Sequence, residues 1–311
     1  MRHDSDLLIV GGGPSGLSAA INGASEGLRV LLLDSDEQLG GQARQSAAIE
    51  NYPGFPEGIT GDELMGALVR QADKFDARVT CPARVVGLHA DGDWLVAQDD
   101  IGQEYAGRSV LLSCGLTYRR LNANGIGQYM GRGAFYGVPS GRTPTHKCRV
   151  VVVGGANSAG QAVINLAKNK RAEVILAVRK TLAAQMSQYL IDRIEQTENI
   201  TVLENTEIAA CEGLGKLQAV RTGAGETLEA DYLFIYIGAV PRTYWLKGRL
   251  ELDEHGFIQT WTDAGALLPY ETSLRGVFAA GDIRAGSVKR IASAAGEGAA
   301  ALQMIHRRLG A

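Results

Sequence analysis

The sequence predicts an α/β fold in which one strand–loop–helix–strand unit occurs twice. Residues 7–10 and 149–153 are short, continuous apolar runs, typical of strands buried on both faces of a parallel sheet. Each run leads into a glycine-rich loop and then into a stretch long enough for a helix. A further apolar strand follows each helix, at residues 28–33 and 174–178.

The first loop has the spacing G-x-G-x-x-G. In a nucleotide-binding turn the first glycine permits the tight turn, the second lets a pyrophosphate approach the backbone, and the third lets the helix pack closely. Free N–H groups at the start of the helix, predicted over residues 15–26, favour an anion there. The residues concerned are Gly11, Gly13, Pro14, Ser15 and Gly16.

The strand at residues 28–33 ends at Asp34, followed by Ser35. The Asp34 carboxylate stands where a ribose hydroxyl needs an acceptor. A glycine-rich turn in an ordinary α/β protein is the alternative interpretation. The order of strand, loop, helix, strand and acid favours a dinucleotide site.

Composition limits the possible classes of function. A length of 311 residues predicts one large domain or two ordinary ones. The net charge of -3 argues against a nucleic-acid surface, and no apolar run approaches the length of a membrane span. No signal peptide is visible before the first strand, so we expect a cytoplasmic protein without membrane insertion.

The four cysteines are far apart in sequence, and the chain contains no C-x-x-C. We expect buried, inert thiols in a reducing compartment, although a disulfide between distant cysteines stays open. The histidines have no ligand spacing, so no metal site is expected. The cysteines are Cys81, Cys114, Cys148 and Cys211.

The chain between the two glycine-rich loops predicts a mixed region. A helix is expected over residues 61–75, with Leu64, Leu68 and Ala72 on one face. Short strands are expected at 79–88, 94–98 and 110–113, and the last of them ends at Gly115. The long loop at residues 38–56 suggests a functional segment. A second unit is predicted to begin near Tyr118.

The second loop repeats the first, with Gly154, Ala156 and Ala159 at the positions of Gly11, Gly13 and Gly16. Its second strand ends in Arg179 and Lys180 instead of an acid. Cations there suit a 2′-phosphate and favour NADPH over NADH. A solvated strand end is the alternative.

The last third of the chain predicts a strand at 233–237 ending at Gly238, a buried strand at 277–280 and a helix at 290–309. Residues 287–292 would direct N–H groups and positive charge at one spot, which suits an anionic flavin ring.

Together, residues 11–16, 40–42, 50–54, 131–133, 154–159 and 277–282 resemble the low-molecular-weight thioredoxin reductase family. The resemblance implies a homodimeric, NADPH-dependent FAD flavoprotein. It implies two Rossmann-like, three-layer ββα domains, the second inserted in the first. The FAD-binding domain would comprise residues 1–117 and 243–311, and the NADPH-binding domain residues 118–242.

The resemblance also implies the residues of both cofactor sites. For FAD they are Gly11, Gly13, Pro14, Ser15, Gly16, Asp34, Ser35, Gly40, Gly41, Gln42, Asn51, Val85, Gly115, Gly281, Asp282, Lys289, Arg290, Ile291 and Ala292. For NADPH they are Gly154, Gly155, Asn157, Ser158, Ala159, Arg179, Lys180 and Gly238.

The sequence departs from the family where the redox-active C-x-x-C and its acid are expected. Those positions fall on Gly137, Ser140 and Gly141. A serine hydroxyl forms no mixed disulfide, so we expect no dithiol reduction of thioredoxin and identify no catalytic residue. The expected acceptor is unidentified: a quinone, a small electrophile, dioxygen or another redox protein.

Two alternative functions stay open. A ferredoxin–NADP reductase also lacks C-x-x-C, but the aromatic C-terminal extension usual there is not seen before Ala311. A flavin-binding redox sensor with little turnover is the other alternative.

Residues 281–290, G-D-x-R-x-G-S-V-K-R, resemble reductase-like modules fused behind regulatory domains. Tyr136 suits either stacking on a flavin or substrate, or ordinary apolar packing.

Overall fold

The computed structural model describes residues 3–46, 49, 51–138, 144 and 146–310. The strands are β1 (His3–Val10), β2 (Val30–Leu33), β3 (Arg78–Thr80), β4 (Val85–Asp91), β5 (Trp94–Asp99), β6 (Glu104–Leu112), β7 (Leu116–Tyr118), β8 (Ala134–Tyr136), β9 (Cys148–Val153), β10 (Ala172–Ala177), β11 (Ile200–Leu203), β12 (Ile208–Glu212), β13 (Ala219–Thr222), β14 (Thr227–Glu229), β15 (Tyr232–Ile235), β16 (Ala239–Pro241) and β17 (Val277–Ala279). The helices are α1 (Pro14–Ser25), α2 (Gly61–Lys74), α3 (Ile126–Tyr129), α4 (Asn157–Leu166), α5 (Gln188–Glu195) and α6 (Ile291–Leu309).

The chain forms two compact units. The first unit contains residues 1–117 and 240–311, and the second contains residues 118–239. The second unit is therefore inserted, in sequence, within the first. The second unit ends at Ala239, three residues before the boundary at residue 242 expected from the sequence. Arg242 consequently belongs to the first unit.

The first unit is built on a mixed sheet with the strand order β3-β2-β1-β6-β5-β4, and β17 also pairs with β6. Strands β1, β2, β3, β6 and β17 are parallel, whereas β4 and β5 are antiparallel additions beside β6. In β1, Leu7 and Ile9 enter a core with α1, α2 and α6. Leu8 and Val10 enter a separate core on the other face. The alternation follows the two-residue period of a strand and explains the continuous apolar run.

The inserted unit repeats this arrangement on a smaller scale. Its parallel sheet has the order β11-β10-β9-β15-β8. Val150 and Val152 of β9 pack with α4 and α5, and Val151 and Val153 pack with the antiparallel sheet β12-β13-β14. Both units therefore have helices on one face of a parallel sheet and other structure on the opposite face. The predicted fold class is confirmed.

The predicted strand at residues 79–88 was wrong. The structure has two strands there, β3 paired with β2 and β4 paired with β5. Pro82 lies between them and has no N–H to continue a ladder. The next N–H, of Ala83, donates to the Asp34 carbonyl oxygen at 2.6 Å, which directs the chain toward the end of β2.

Within the described part of the chain, none of the helices combines the length and apolar character that crossing a membrane requires.

Helix α6 contributes Leu302, which is fully buried in the core beside α1. We expect Leu302→Ala to lower the free energy of unfolding by about 2–5 kcal/mol, because it leaves a cavity where the site-bearing elements pack. All three tryptophans, Trp94, Trp245 and Trp261, belong to the first unit. Urea denaturation followed by tryptophan fluorescence therefore reports on this unit.

The matched control is Leu267→Ala, which shortens a leucine that is 86 % exposed in the same unit. Its effect should stay within about 0.5 kcal/mol. Equal losses in the two variants would contradict the assigned core.

Candidate dinucleotide sites

The first glycine-rich loop connects β1 to α1 through close backbone contacts. A Cβ atom on Gly16 would overlap the carbonyl oxygen of Gly11, so only glycine lets α1 start this near β1. Beside Gly13, by contrast, the space is open. The loop therefore packs tightly on its inner side and leaves its outer side accessible to a ligand.

The start of α1 has the properties of an anion site. No side chain caps the helix, and no acidic residue lies in its first turn. The hydroxyl oxygen of Ser15 is buried and, within the described residues, lacks a hydrogen-bond partner. A buried polar atom without a partner is costly, and a ligand oxygen at this position would satisfy it. These features fit a pyrophosphate.

Asp34 lies at the end of β2 and is only 8 % exposed. Its carboxylate accepts from the N–H of Gly12 at 2.5 Å and from that of Asp36 at 2.8 Å. Burial raises the pKa of Asp34, and the two N–H donors oppose that shift. The carboxylate thus holds the first loop against the strand end and keeps further lone pairs for a ligand.

A cavity of about 300 Å³ opens beside Asp34. Four of its lining residues were predicted from sequence: Gly11, Asp34, Ser35 and Val85. The prediction missed several others, including Arg84, Thr117, Arg242, Tyr244 and Trp245. These lie far from the first loop in sequence and carry no motif, so no local pattern could have identified them.

The predicted loop at residues 40–42 contacts the glycine-rich loop at residues 11–16. The N–H of Gly40 donates to the carbonyl oxygen of Gly12 at 2.8 Å, and Gly41 lies against Gly13. The side-chain amide of Gln42 donates to the carbonyl oxygen of Leu116 at 2.5 Å, next to Gly115. The structure therefore brings residues 11–16, 40–42 and 115 together.

Helix α6 and the segment before it lie against the same loop. A Cβ atom on Gly298 would overlap the carbonyl oxygen of Ser15, and Gly281 also lies against Ser15. The ammonium group of Lys289 donates to the carbonyl oxygen of Asp282 at 2.8 Å. Its positive charge is thus held beside Asp282, just before α6 begins at Ile291. Arg290 precedes that helix and Ala292 lies in its first turn, which has no side-chain cap.

Sequence reasoning missed the side chain that braces this region, Glu297. It accepts from the N–H of Gly281 at 2.8 Å and forms a two-point ion pair with Arg284, at 2.6 and 3.1 Å. Its position inside α6 offers no sequence signal. Asn51 is the exception among the predicted FAD residues, because it lies exposed in a loop and the described contacts do not bring it to the others.

The inserted unit has the corresponding loop at the carboxyl edge of its sheet. Gly154 has a φ of 151°, and a Cβ atom there would overlap the carbonyl oxygen of Tyr236. Helix α4 follows with no side-chain cap and no acid in its first turn. Gly155, Asn157, Ser158 and Ala159 therefore surround a helix start that is open to an anion.

The predicted phosphate-binding cations lie at the same edge. Ala177 of β10 pairs in register with Val153 of β9, so Arg179 and Lys180 emerge beside the loop. Both are exposed, and the Nε of Arg179 is 3.9 Å from a carboxylate oxygen of Glu207. Such a surface ion pair is weak and leaves Arg179 able to bind a phosphate. Gly238 follows β15 at this edge as well.

The positions expected for the redox pair are only partly described. Gly137 follows β8 directly, whereas Ser140 and Gly141 lie outside the described residues. The Tyr136 hydroxyl accepts from the N–H of Leu121 at 3.0 Å, and its ring stacks on Tyr118 at 5.8 Å. This favours the packing interpretation of Tyr136.

The four cysteines are free thiols. Cys148 and Cys211 are buried as expected, but Cys81 and Cys114 are half-buried, which corrects that prediction. Burial raises the pKa of every one, to about 12 for Cys114 and about 11 for Cys211. At neutral pH they are therefore thiols and not reactive thiolates.

The profile of the family described as "Pyridine nucleotide-disulphide oxidoreductase" matches residues 5–298. The chain belongs to this family. Pyridine nucleotide-disulphide oxidoreductases similar to it include thioredoxin reductase from Mycolicibacterium smegmatis, 34 % identical over 302 residues, covering 95 % of this chain and 94 % of the relative. Thioredoxin reductase from Streptomyces clavuligerus is 30 % identical over 316 residues, covering 100 % and 96 %.

Among solved structures, thioredoxin reductase from Streptococcus pyogenes aligns with a TM-score of 0.84 at 28 % identity, covering 100 % of this chain and 99 % of that one. The protein is thus a thioredoxin reductase-like member of the pyridine nucleotide-disulphide oxidoreductases and an NADPH-dependent flavin oxidoreductase. Thioredoxin reductases use FAD and NADPH. The partnerless Ser15 hydroxyl and the two open helix starts fit such nucleotides.

In this pyridine nucleotide-disulphide oxidoreductase, the glycine-rich loop at residues 154–159 allows a direct test of the coenzyme site. We expect Gly154→Ala to raise the Kd for NADP⁺, which occupies the same site as NADPH without reducing the flavin, about tenfold or more, because the methyl group displaces the loop and the φ of residue 154 disfavours alanine. Bound FAD should be unchanged. Isothermal titration with NADP⁺ measures the first quantity, and the flavin-to-protein absorbance ratio the second.

Gly127→Ala is the control, because Gly127 lies in α3 of the same unit, outside the loop, and a Cβ atom there meets no described residue within 4 Å. If Gly127→Ala weakened binding as much as Gly154→Ala, the explanation from the Gly154 backbone would be wrong.

Proposed function

We propose that this flavoprotein takes hydride from NADPH and passes the electrons to an acceptor other than a disulfide. It is then not a working thioredoxin reductase by the dithiol mechanism, although its relatives carry that name. The observation that supports the proposal is the number and spacing of the cysteines. The 311-residue sequence has four cysteines and no C-x-x-C.

The placement of the cysteines supports the proposal further. Cys148 begins β9, whereas the nucleotide loop follows the other end of that strand, at Gly154. Cys148 and Val153 are five steps apart along an extended strand, roughly 17 Å at about 3.3 Å per residue. Dithiol exchange needs a thiolate, and burial keeps all four groups protonated.

In this proposal the first unit is the FAD-binding domain. The N–H groups at the start of α1 and the Ser15 hydroxyl hold the pyrophosphate, and Asp34 accepts a ribose hydroxyl. Residues 40–42 and 115 border the loop at residues 11–16. The segment from Asp282 to Lys289, which precedes α6 and is braced by Glu297, borders it as well. Asn51 stays a predicted contact.

The inserted unit is, in the same proposal, the NADPH-binding domain. Its loop at Gly154 receives the pyrophosphate, and Arg179 and Lys180 bind the 2′-phosphate. Bound FAD supplies the hydride-accepting and electron-donating chemistry, while the protein orients both nucleotides. The resemblance places the first cysteine of the redox pair at Gly137, so in this proposal the chain offers no sulfur there for the next transfer.

The Val138 N–H, next to Gly137, donates to the Tyr236 hydroxyl at 2.9 Å. This bond holds the backbone at the position where a disulfide is expected. We propose a quinone, another small electrophile, dioxygen or a redox protein as the acceptor. The proposal includes a cytoplasmic homodimer that binds no nucleic acid.

The number of NADPH equivalents that the protein accepts tests whether it has a redox-active disulfide. Anaerobic titration should bleach the flavin absorbance completely at one NADPH per FAD, because one hydride carries two electrons. A redox-active disulfide would take up a second equivalent. The expected rate of thioredoxin reduction is at background.

Thiol counting supplies the control. The unfolded protein should show all four thiols both before and after NADPH treatment, since the four cysteines are already free. Uptake of two NADPH per flavin with a gain of two thiols would refute the proposal. Flavin that stays oxidised under anaerobic NADPH would refute the hydride step itself.

The coenzyme preference tests Arg179. Arg179→Ala should lower the NADPH-to-NADH ratio of kcat/KM about tenfold or more, because a charge-assisted bond to the 2′-phosphate is lost. Steady-state oxidation of both coenzymes with a quinone acceptor measures the ratio. Arg171→Ala is the control, since Arg171 is exposed just before the opposite end of β10. An unchanged ratio in Arg179→Ala would place phosphate recognition elsewhere.

A further inference from the structure

The cavity beside Asp34 contains an arginine that belongs to none of the nucleotide-binding motifs. Arg242 lines this space together with Asp34, Ser35 and Val85. It comes from the segment by which the chain re-enters the first unit. No residue of the glycine-rich loops carries a positive side chain into this cavity.

Several bonds hold Arg242 in place. Its N–H donates to the carbonyl oxygen of Gly115 at 3.2 Å, and its carbonyl oxygen accepts from the Trp245 indole N–H at 3.0 Å. The guanidinium Nε donates to the Thr117 hydroxyl at 2.9 Å. The side chain is therefore preorganised at the cavity wall, which lowers the entropic cost of binding a ligand.

The electrostatics of the cavity centre on Asp34. Asp36 and Arg242 are the ionisable groups that shift the pKa of Asp34, and Asp34 in turn raises the pKa of Cys81 and Cys114. Burial is the main cause that raises the pKa of Asp34; the N–H groups of Asp36 and Gly12 lower it, the charge of Asp36 raises it and that of Arg242 lowers it. Arg84 also lines the cavity, but its guanidinium lies 3.8 Å from Asp100. Arg242 thus favours the ionised carboxylate needed to accept from a ribose hydroxyl.

We propose that Arg242 is a positioning residue for the adenosine half of FAD. Its planar guanidinium borders the adenosine, and its charge keeps the Asp34 carboxylate ready for the ribose. The inference rests on the proposed function, because it takes the loop at residues 11–16 as the FAD pyrophosphate site. With the pyrophosphate there, the nucleoside must continue past Asp34 into this cavity.

The chemistry of the cavity suits a nucleoside. Its volume of about 300 Å³ falls at the lower end of small-molecule sites, roughly 300–1,000 Å³. Tyr244 and Trp245 supply aromatic surface beside the guanidinium. A guanidinium stacks on aromatic rings and donates in its own plane, so it can contact a purine and a hydroxyl together.

Binding of FAD to the FAD-stripped, full-length chain tests the proposal. Arg242→Ala should raise the Kd for FAD about tenfold or more, and the inhibition constant of ADP as a competitor should rise by the same factor. Flavin fluorescence quenching measures both. ADP carries the adenosine and pyrophosphate without the flavin, so it reports on this half of the site alone.

The pH profile separates positioning from a general structural role. Without Arg242 the pKa of Asp34 rises, so FAD affinity should begin to fall at a higher pH in Arg242→Ala than in the wild type as the solution is acidified. Arg242→Lys keeps the charge but not the guanidinium. It should restore the wild-type pH profile and recover the affinity only in part.

Lys247→Ala is the control, because it removes an exposed cation from the same segment outside the cavity. Its FAD affinity should equal that of the wild type. The proposal is overturned if Arg242→Ala binds FAD and ADP like the wild type, or loses FAD affinity with unchanged ADP affinity. Loss of affinity in Arg242→Ala with a wild-type pH profile also overturns it. Failure of the wild-type chain itself to bind FAD would instead overturn the proposed function.

Discussion

The first unit depends on backbone packing that only glycine permits. Gly16 lies against the carbonyl oxygen of Gly11, and Gly298 against that of Ser15. These contacts hold β1, α1 and α6 closer together than side chains would allow. As a result the first turn of α1 lies at the edge of the sheet, and in the part of the chain that the structure describes it has no side-chain cap and no partner for the Ser15 hydroxyl. The anion site is thus a consequence of how the core is packed.

Two carboxylates, the buried Asp34 and the half-buried Glu297, then hold the surrounding loops in place. Asp34 binds two backbone N–H groups, and Glu297 binds one backbone N–H and the guanidinium of Arg284. Each carboxylate is at least partly withdrawn from water together with donors, which offsets its cost of desolvation. The loops that border the candidate FAD site are therefore braced by side chains of the same unit.

The inserted unit repeats the nucleotide-binding arrangement of the first unit, but different side chains surround its loop. Gly154 and the end of β10 form an edge that suits a phosphate-bearing coenzyme, and tyrosine hydroxyls accept the N–H groups of Leu121 and Val138. The four thiols are protonated and far apart in sequence. The architecture is that of a pyridine nucleotide-disulphide oxidoreductase, and the proposed transfer to a different acceptor rests on these thiols.

The sequence by itself determined the two strand–loop–helix–strand units and most residues of their loops, because these depend on local backbone requirements written in glycine spacing. Local reasoning failed at Pro82, where one apolar run contains two strands, and it could not identify Glu297 or Arg242. Only the tertiary structure decided what those two side chains contact. Their partners lie elsewhere in the chain, and such contacts arise from the packing of distant segments and leave no periodic or motif signal.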